Sequence, residues 1–374
     1  MAYREGGRKQ WTTIEHQEIM SAKEDSFPES QQRHRNPQAS ISNAFAYKTP
    51  FLTHLNADTS WLISLPYPGG SSPPPGRARF NILLDAWLNG KQVDVASWFS
   101  TQWHAIRSSV QTISELDAAL QEAESSSAQD LATSDSNLKR SVTYIDLVVC
   151  AHEFTDHCHQ ATLVQVDPLV PVFATTKAAQ LVRSWNHFKT VVEVPTFTQN
   201  LDWRKTSLSP LPDWLGIGRL VSGSWDDFIV FHSAVVFFTR TDMSSSTADA
   251  IIYTPHGVYP DHFSCFPTAK PPVRALALIH GLHEFSITPG KGINVARLNL
   301  GARNAIKAQR ILNAKYWVGT HDENKDKAGL IAHCLERRKM VLEDLVDKEV
   351  ARDGGSSASL TYKDLSSGES LLLE

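Results

Sequence analysis

The sequence predicts a layered α/β domain, and three observations carry that prediction. Short apolar runs of strand length recur from Trp61 to Gly319 and alternate with segments of helical period. Two of those runs lead directly into Asp or His, at the strand ends where α/β sheets hold ligands. Finally, 374 residues with 41% hydrophobic and 20% charged content can bury a sizeable core without staples, as one large domain or two smaller ones.

Taken in order, residues 1–40 are rich in Gln, Glu, Ser, Lys and Arg with no sustained apolar period, and are expected to form a disordered arm. The domain itself is expected over 41–350. Trp61–Leu65 reads as a strand, and Pro66–Arg77, with Gly69-Gly70 and three consecutive prolines, as a loop. Phe80–Asp85 is a second strand ending on an acid. Ser109–Glu124 places Val110, Ile113, Leu116 and Leu120 on one helical face. The Ser/Asp/Ala-rich stretch at about 125–137 reads as a flexible insertion. Ile145–Cys150 is a buried strand running into Ala151-His152. Pro171–Ala174, Val191–Val194, Val235–Phe238, Ile251–Tyr253, Leu276–Ile279 and Tyr316–Gly319 read as strands; Thr176–Ser184, Asn304–Asn313 and Leu330–Glu349 read as helices. Trp98, Trp103 and His104 are assigned to a further helix as a packing stripe. Residues 351–374, rich in Ser and Gly, are expected to be a loose tail.

A net charge of −4 offers no global attraction to nucleic acid or to an anionic membrane. Four cysteines without CxxC spacing argue against a disulfide framework, and the polar start Met1–Gln10 lacks the apolar run of a signal peptide. No stretch approaches the roughly 20 apolar residues of a membrane span. A cytoplasmic protein acting on a small molecule is the expectation, with the oligomeric state open.

The segment most informative about chemistry is Ala151–His159, which carries His152, Asp156, His157 and His159 directly after an apolar strand. Imidazole and carboxylate are ligands suited to zinc, iron or manganese, and such density is hard to explain by packing, because His and Asp are poor core residues unless paired. A solvated polar turn is the plain alternative. Lys325 and Asp326 read as solvated surface, and Arg183, Trp185, His187 and Phe188 as packing or a pocket wall.

This segment resembles the HxHxDH signature of the metallo-β-lactamase superfamily, with His152, Asp156 and His157 at the first, third and fourth liganding positions and Phe154 where the second histidine stands. Leu83–Leu88 resembles the strand ending "DPWL" of the branch that includes ascorbate-phosphate lactonases and N-acyl-phosphatidylethanolamine phospholipases, and Thr320-His321-Asp322-Glu323 resembles that branch's final histidine segment. The likeness runs from about Asn56 to about Leu345 and is closest to a diverged fungal branch. It implies a four-layer αββα sandwich and a centre for one or two metal ions, with Zn2+ foremost and Fe or Mn open. It further implies His321 as a late ligand, and Asp85, His159 and Asp322 as supporting residues, with His159 a possible stand-in for the histidine that Phe154 replaces. The third family histidine maps to His232, where an ordinary strand-edge histidine is the alternative. The bridging aspartate is replaced by His256, for which a loop histidine beside Gly257 is the plain alternative; Asp261 and His262, close by, could serve instead, and His280 and His283 rank lower. The implied activity is hydrolysis of an ester, lactone, thioester or phosphodiester, with Asp156 and His157 at the catalytic centre. Because Phe154 and the missing bridging acid depart from the pattern, a catalytically silent binding or scaffold protein is the competing expectation. A nucleic-acid-processing enzyme is a third, which the mixed charge of residues 1–40 does not favour.

Overall fold

The computed structural model describes residues 35–129, 143–198, 202–221, 231–289, 295–342, 345 and 361–374. Its centre is a pair of sheets. The first has seven strands in the order β19 (Ser370–Leu372), β1 (Phe51–His54), β2 (Trp61–Pro66), β3 (Arg79–Leu84), β6 (Leu147–Cys150), β7 (Val172–Ala174) and β8 (Val191–Glu193). The second has six, in the order β18 (Tyr362–Lys363), β15 (Tyr316–Gly319), β12 (Val273–His280), β11 (Ala248–Thr254), β10 (Ser233–Thr239) and β9 (Leu215–Val221). Numbering follows the chain. Two three-stranded sheets flank them, β14 (Ala296–Leu300) with β13 (Glu284–Ile287) and β17 (Leu335–Arg338), and β16 (Asp326–Ala328) with β5 (Ser100–Trp103) and β4 (Gln92–Asp94).

The period-2 geometry of a strand explains the continuous apolar runs. In β10, Val235 and Phe237 point to one face and Ala234, Val236 and Phe238 to the other, and both faces are buried. The inner faces of the two sheets share one core, in which Trp61, Ile63, Leu84 and Val149 of the first meet Ile217, Phe237, Tyr253 and Ile279 of the second. Outside the first sheet lie α1 (Pro37–Phe45), α2 (Ile113–Gln129), α3 (Gln160–Leu163) and α4 (Thr176–Ser184). Outside the second lie α5 (Gly301–Leu312) and the short 3-10 turn Pro260–Cys265. The result is four layers, αββα. Strands β3, β6, β7 and β8 run parallel, as do β11, β12, β15 and β18, so the chain leaves each group at one end of its sheet.

Several boundaries differ from expectation. Helix α1 begins inside the expected arm, because Asn36 Oδ1 accepts from the amides of Gln38 and Ala39 and caps it; residues 1–34 lie outside the described residues. Helix α2 runs on to Gln129, into the expected insertion at 125–137, whose remainder is also outside them. The tail is not loose over 361–374: β18 pairs with β15, β19 pairs with β1, and Leu365, Ser367 and Leu373 are buried. The stripe at Trp98–His104 is not helical, since β5 pairs with β4 and β16. Leu335–Arg338, expected within a last helix, is β17: its alternating burial matches pairing with β13, which overrides helical spacing. All four cysteines are free. Among the described residues, no helix is long and apolar enough to cross a membrane.

Candidate metal centre

The centre forms where the two sheets' strands end. Asp85 follows β3, the segment 151–158 follows β6, His256 follows β11, His321 follows β15, and Asp58 lies between β1 and β2. Local turns aim the side chains. The carbonyl of Phe154 accepts from the amides of both His157 (2.9 Å) and Cys158 (2.8 Å), closing a tight turn that presents Asp156 and His157 side by side. Beyond His256, Gly257 has φ +87°, and a Cβ there would meet Leu300 at 2.9 Å and His280 at 3.0 Å, so only glycine fits. Asp85 (φ 46°) and His321 (φ 58°) both occupy the left-handed region that non-glycine residues rarely adopt. His321 is fixed there by its amide donating to the Asp58 carbonyl at 2.8 Å.

Three imidazoles converge: His157, His256 and His321, all buried, can each offer a nitrogen within 4.8 Å of the others. Each Nδ1 faces an oxygen acceptor. His157 Nδ1 donates to Asp85 Oδ2 (2.6 Å), His256 Nδ1 to Asn299 Oδ1 (2.7 Å) and His321 Nδ1 to Asp58 Oδ1 (3.1 Å). With its proton held at Nδ1 by such a bond, a neutral ring would present its Nε2 lone pair inward. The Nε2 atoms of His157 and His256 stand 3.1 Å apart. That separation is close to the about 3.3 Å that tetrahedral coordination at about 2.05 Å would set. Burial and the neighbouring imidazoles of His152, His321 and His157 hold His256 well below the usual imidazole pKa, so it is neutral, as a ligand must be. The donor chemistry therefore fits a divalent transition ion.

Asp156 borders this triangle, with Oδ1 3.7 Å from His157 Nε2 and Oδ2 3.8 Å from His321 Nε2. Burial alone would raise its pKa, but Lys325 and the two histidines pull it well below the carboxylate range. Lys325, expected on the solvated surface, is instead 9% exposed, with Nζ 2.7 Å from Asp58 Oδ2 and 3.0 Å from Asp156 Oδ2. Asp58, Asp156 and His321 form a second group of potential donors.

The remaining expected residues fall in different places. His152 packs at the rim of the triangle, its ring 5.2 Å from that of His157 and 4.8 Å from that of His256; its Nε2 is buried without a hydrogen-bond partner among the described residues. His232 lies against Tyr259 and belongs to neither donor group. His159, at the start of α3, belongs to neither donor group: its ring nitrogens reach Thr162 Oγ1 and the Lys91 carbonyl. Asp322 braces a loop, accepting from the amides of Leu282 and His283, and belongs to neither donor group. His280 is tied to Asn304 and Gly281, and His283 to the Met340 amide. His187 bonds the Val166 carbonyl, and Trp185 and Phe188 pack on the outer core, away from the centre. Sequence reasoning missed Asp58, Asn299 and Lys325. Asp58 shares the loop of Asn56, where the resemblance begins, but no spacing tied it to His321.

A cavity of about 420 Å³ opens over the centre. Asp156, His256, His321 and Lys325 line it together with an apolar wall that includes Phe154, Phe231, Phe285, Ile287 and Leu335. Phe154, at the position of the missing histidine, stacks on Phe231 with ring centres 4.9 Å apart.

No protein-family model matches the chain, and no curated protein matches it. Among solved structures, isothiocyanate hydrolase from Delia radicum gut bacteria aligns at TM-score 0.50 and 15% identity, covering 87% of this chain and 99% of that one. A possible metal-dependent hydrolase from Veillonella parvula DSM 2008 aligns at 0.49 and 11%, covering 87% and 100%. The metallo-β-lactamase fold protein YhfI from Bacillus subtilis aligns at 0.42 and 12%, covering 86% and 99%. At these identities the likeness concerns architecture: the chain has the αββα sandwich of the metallo-β-lactamase fold.

Proposed function

We propose that this protein is a metal-dependent hydrolase of the metallo-β-lactamase superfamily, acting on a small molecule with a largely apolar body. The observation that carries the reading is the convergence of the imidazoles of His157, His256 and His321, each anchored at Nδ1 by Asp85, Asn299 or Asp58. Zinc, iron or manganese held there would lower the pKa of water from 15.7 toward about 7 and polarise the bond under attack.

The chain's own groups supply the rest. Asp156, kept ionised beside the triangle, can orient the attacking water and accept its proton. The wall of Phe154, Phe231, Phe285 and Ile287 excludes bulk water and receives the apolar part of the substrate. Ester, lactone, thioester and phosphodiester bonds all suit such a centre. A nucleic-acid substrate does not suit a wall of this kind.

The test is metal content by plasma mass spectrometry on wild type and His157→Ala, with a panel of ester, lactone, thioester and phosphodiester substrates. Bound metal lost in the variant, with turnover in one substrate class, supports the reading. Absence of metal after reconstitution refutes it. Bound metal with no turnover on any class favours the silent binding module, for which the loss of a histidine at Phe154 speaks.

A further inference from the structure

We infer that Lys325 is a built-in cation occupying the second cation position of this centre, so that the site accepts a single metal ion. The inference rests on the reading of His157, His256 and His321 as a metal site, and goes beyond it in assigning a role to a residue four positions after His321.

Two groups of donors share His321. One is His157 and His256 with His321; the other is Asp58 and Asp156 with His321. Because His321 Nδ1 is bonded to Asp58 Oδ1 and its Nε2 belongs to the triangle, the oxygens open to a cation in the second group are Asp58 Oδ2 and Asp156 Oδ2. Here the second group already holds a positive charge. The ammonium of Lys325 lies 2.7 Å from Asp58 and 3.0 Å from Asp156, its side chain 9% exposed and Asp58 fully buried. Its position is set from three sides: the two carboxylates, the face of Trp87 with its ring centre 5.4 Å away, and a short chain path from His321. A divalent ion coordinated by the same oxygens would sit at about 2.0–2.2 Å from them, in space the ammonium fills. Two carboxylates this close and this buried need a cation between them, and a tethered one is present at any metal concentration.

The arrangement also gives Lys325 a positioning role. By holding Asp156 Oδ2, it turns the other oxygen of that carboxylate toward His157 Nε2. Asp156 is thereby placed beside the single ion's site instead of being shared between two.

The test is metal stoichiometry, read by mass spectrometry and by calorimetric titration of Zn2+ into the apo protein, on wild type, Lys325→Ala and Lys325→Arg. Wild type and Lys325→Arg are expected to saturate at one equivalent, and Lys325→Ala to take up a second. Because Lys325→Ala leaves two buried carboxylates uncompensated, it is expected to melt earlier than wild type in chelator. Added Zn2+ should then raise its melting temperature beyond the rise seen in wild type. Two equivalents in wild type, with the first lost in His157→Ala, overturn the proposal and leave the metal site standing. One equivalent in both wild type and Lys325→Ala likewise shows that Lys325 is not what excludes a second ion. If Lys325→Ala does not fold even when refolded with Zn2+, the wild-type and Lys325→Arg stoichiometries still decide. No metal in wild type overturns the metal-site reading and this inference together.

Discussion

Replacing Asp85 by Asn tests the tautomer argument on which the centre depends. The Asp85 carboxylate, completely buried, accepts from the Ala151 amide at 2.7 Å and from His157 Nδ1 at 2.6 Å, with the Tyr253 hydroxyl as a further partner. Asn has the same shape and tolerates the left-handed φ of 46° at this position, so the backbone is not perturbed. It has, however, only one acceptor oxygen. If that oxygen keeps His157, the amide group of Asn confronts the Ala151 N–H, two donors face to face in a buried site. If it keeps Ala151, the amide donates to His157 Nδ1 and forces the proton onto Nε2, removing one of the three inward lone pairs. Losing such an outer partner typically lowers metal affinity about 10–100-fold, or about 1.4–2.7 kcal/mol. The assay is competition for Zn2+ against a chromophoric chelator, with urea denaturation of the apo forms to separate folding from binding. Affinity in Asp85→Asn within about twofold of wild type, with the fold intact, would refute the assignment of the His157 tautomer.

Three other outcomes follow from the structure. Burial, with Arg337 and Lys339 nearby, lowers the His283 pKa to about 3 from 6.5, and its Nδ1 accepts from the Met340 amide. The unfolded chain therefore binds a proton that the folded chain refuses, and the stability this residue contributes above pH 6.5 is lost as pH falls toward 3; wild type should lose about 2 kcal/mol more than His283→Asn between pH 7 and 5. Parallel denaturation curves for the two proteins would contradict this. Removing residues 361–374 uncovers the edges of β1 and β15 and the sites of Leu365 and Leu373, and should lower stability by about 3–6 kcal/mol; an unchanged melting temperature would show that the terminal strands do not contribute. Phe237→Ala, in the core between the sheets, should cost about 3–5 kcal/mol in chemical denaturation while leaving Zn2+ stoichiometry unchanged; loss of metal together with stability would mean that this core, and not the strand ends alone, holds the ligands in place.

What the sequence determined by itself is what local pattern encodes. Strands buried on both faces are continuous apolar runs, so β2, β3, β6, β7, β10, β11, β12 and β15 were readable without a partner in view. The dense segment from His152 to His159 announced metal chemistry because four such side chains rarely crowd a strand end without a purpose. Spacing could not say which of them converge: His157 meets His256 across 99 positions, while His159, two residues away, turns outward to Thr162. Helical spacing also misled where pairing decides, as at β5, which pairs with distant β16, and at β17, which pairs with distant β13. Lys325 is the sharpest case. A lysine in a polar stretch reads as solvated surface, since ammonium is expensive to bury. Only the fold places it between Asp58 and Asp156, both far earlier in the chain, because the field of two buried carboxylates exists nowhere but in the assembled structure.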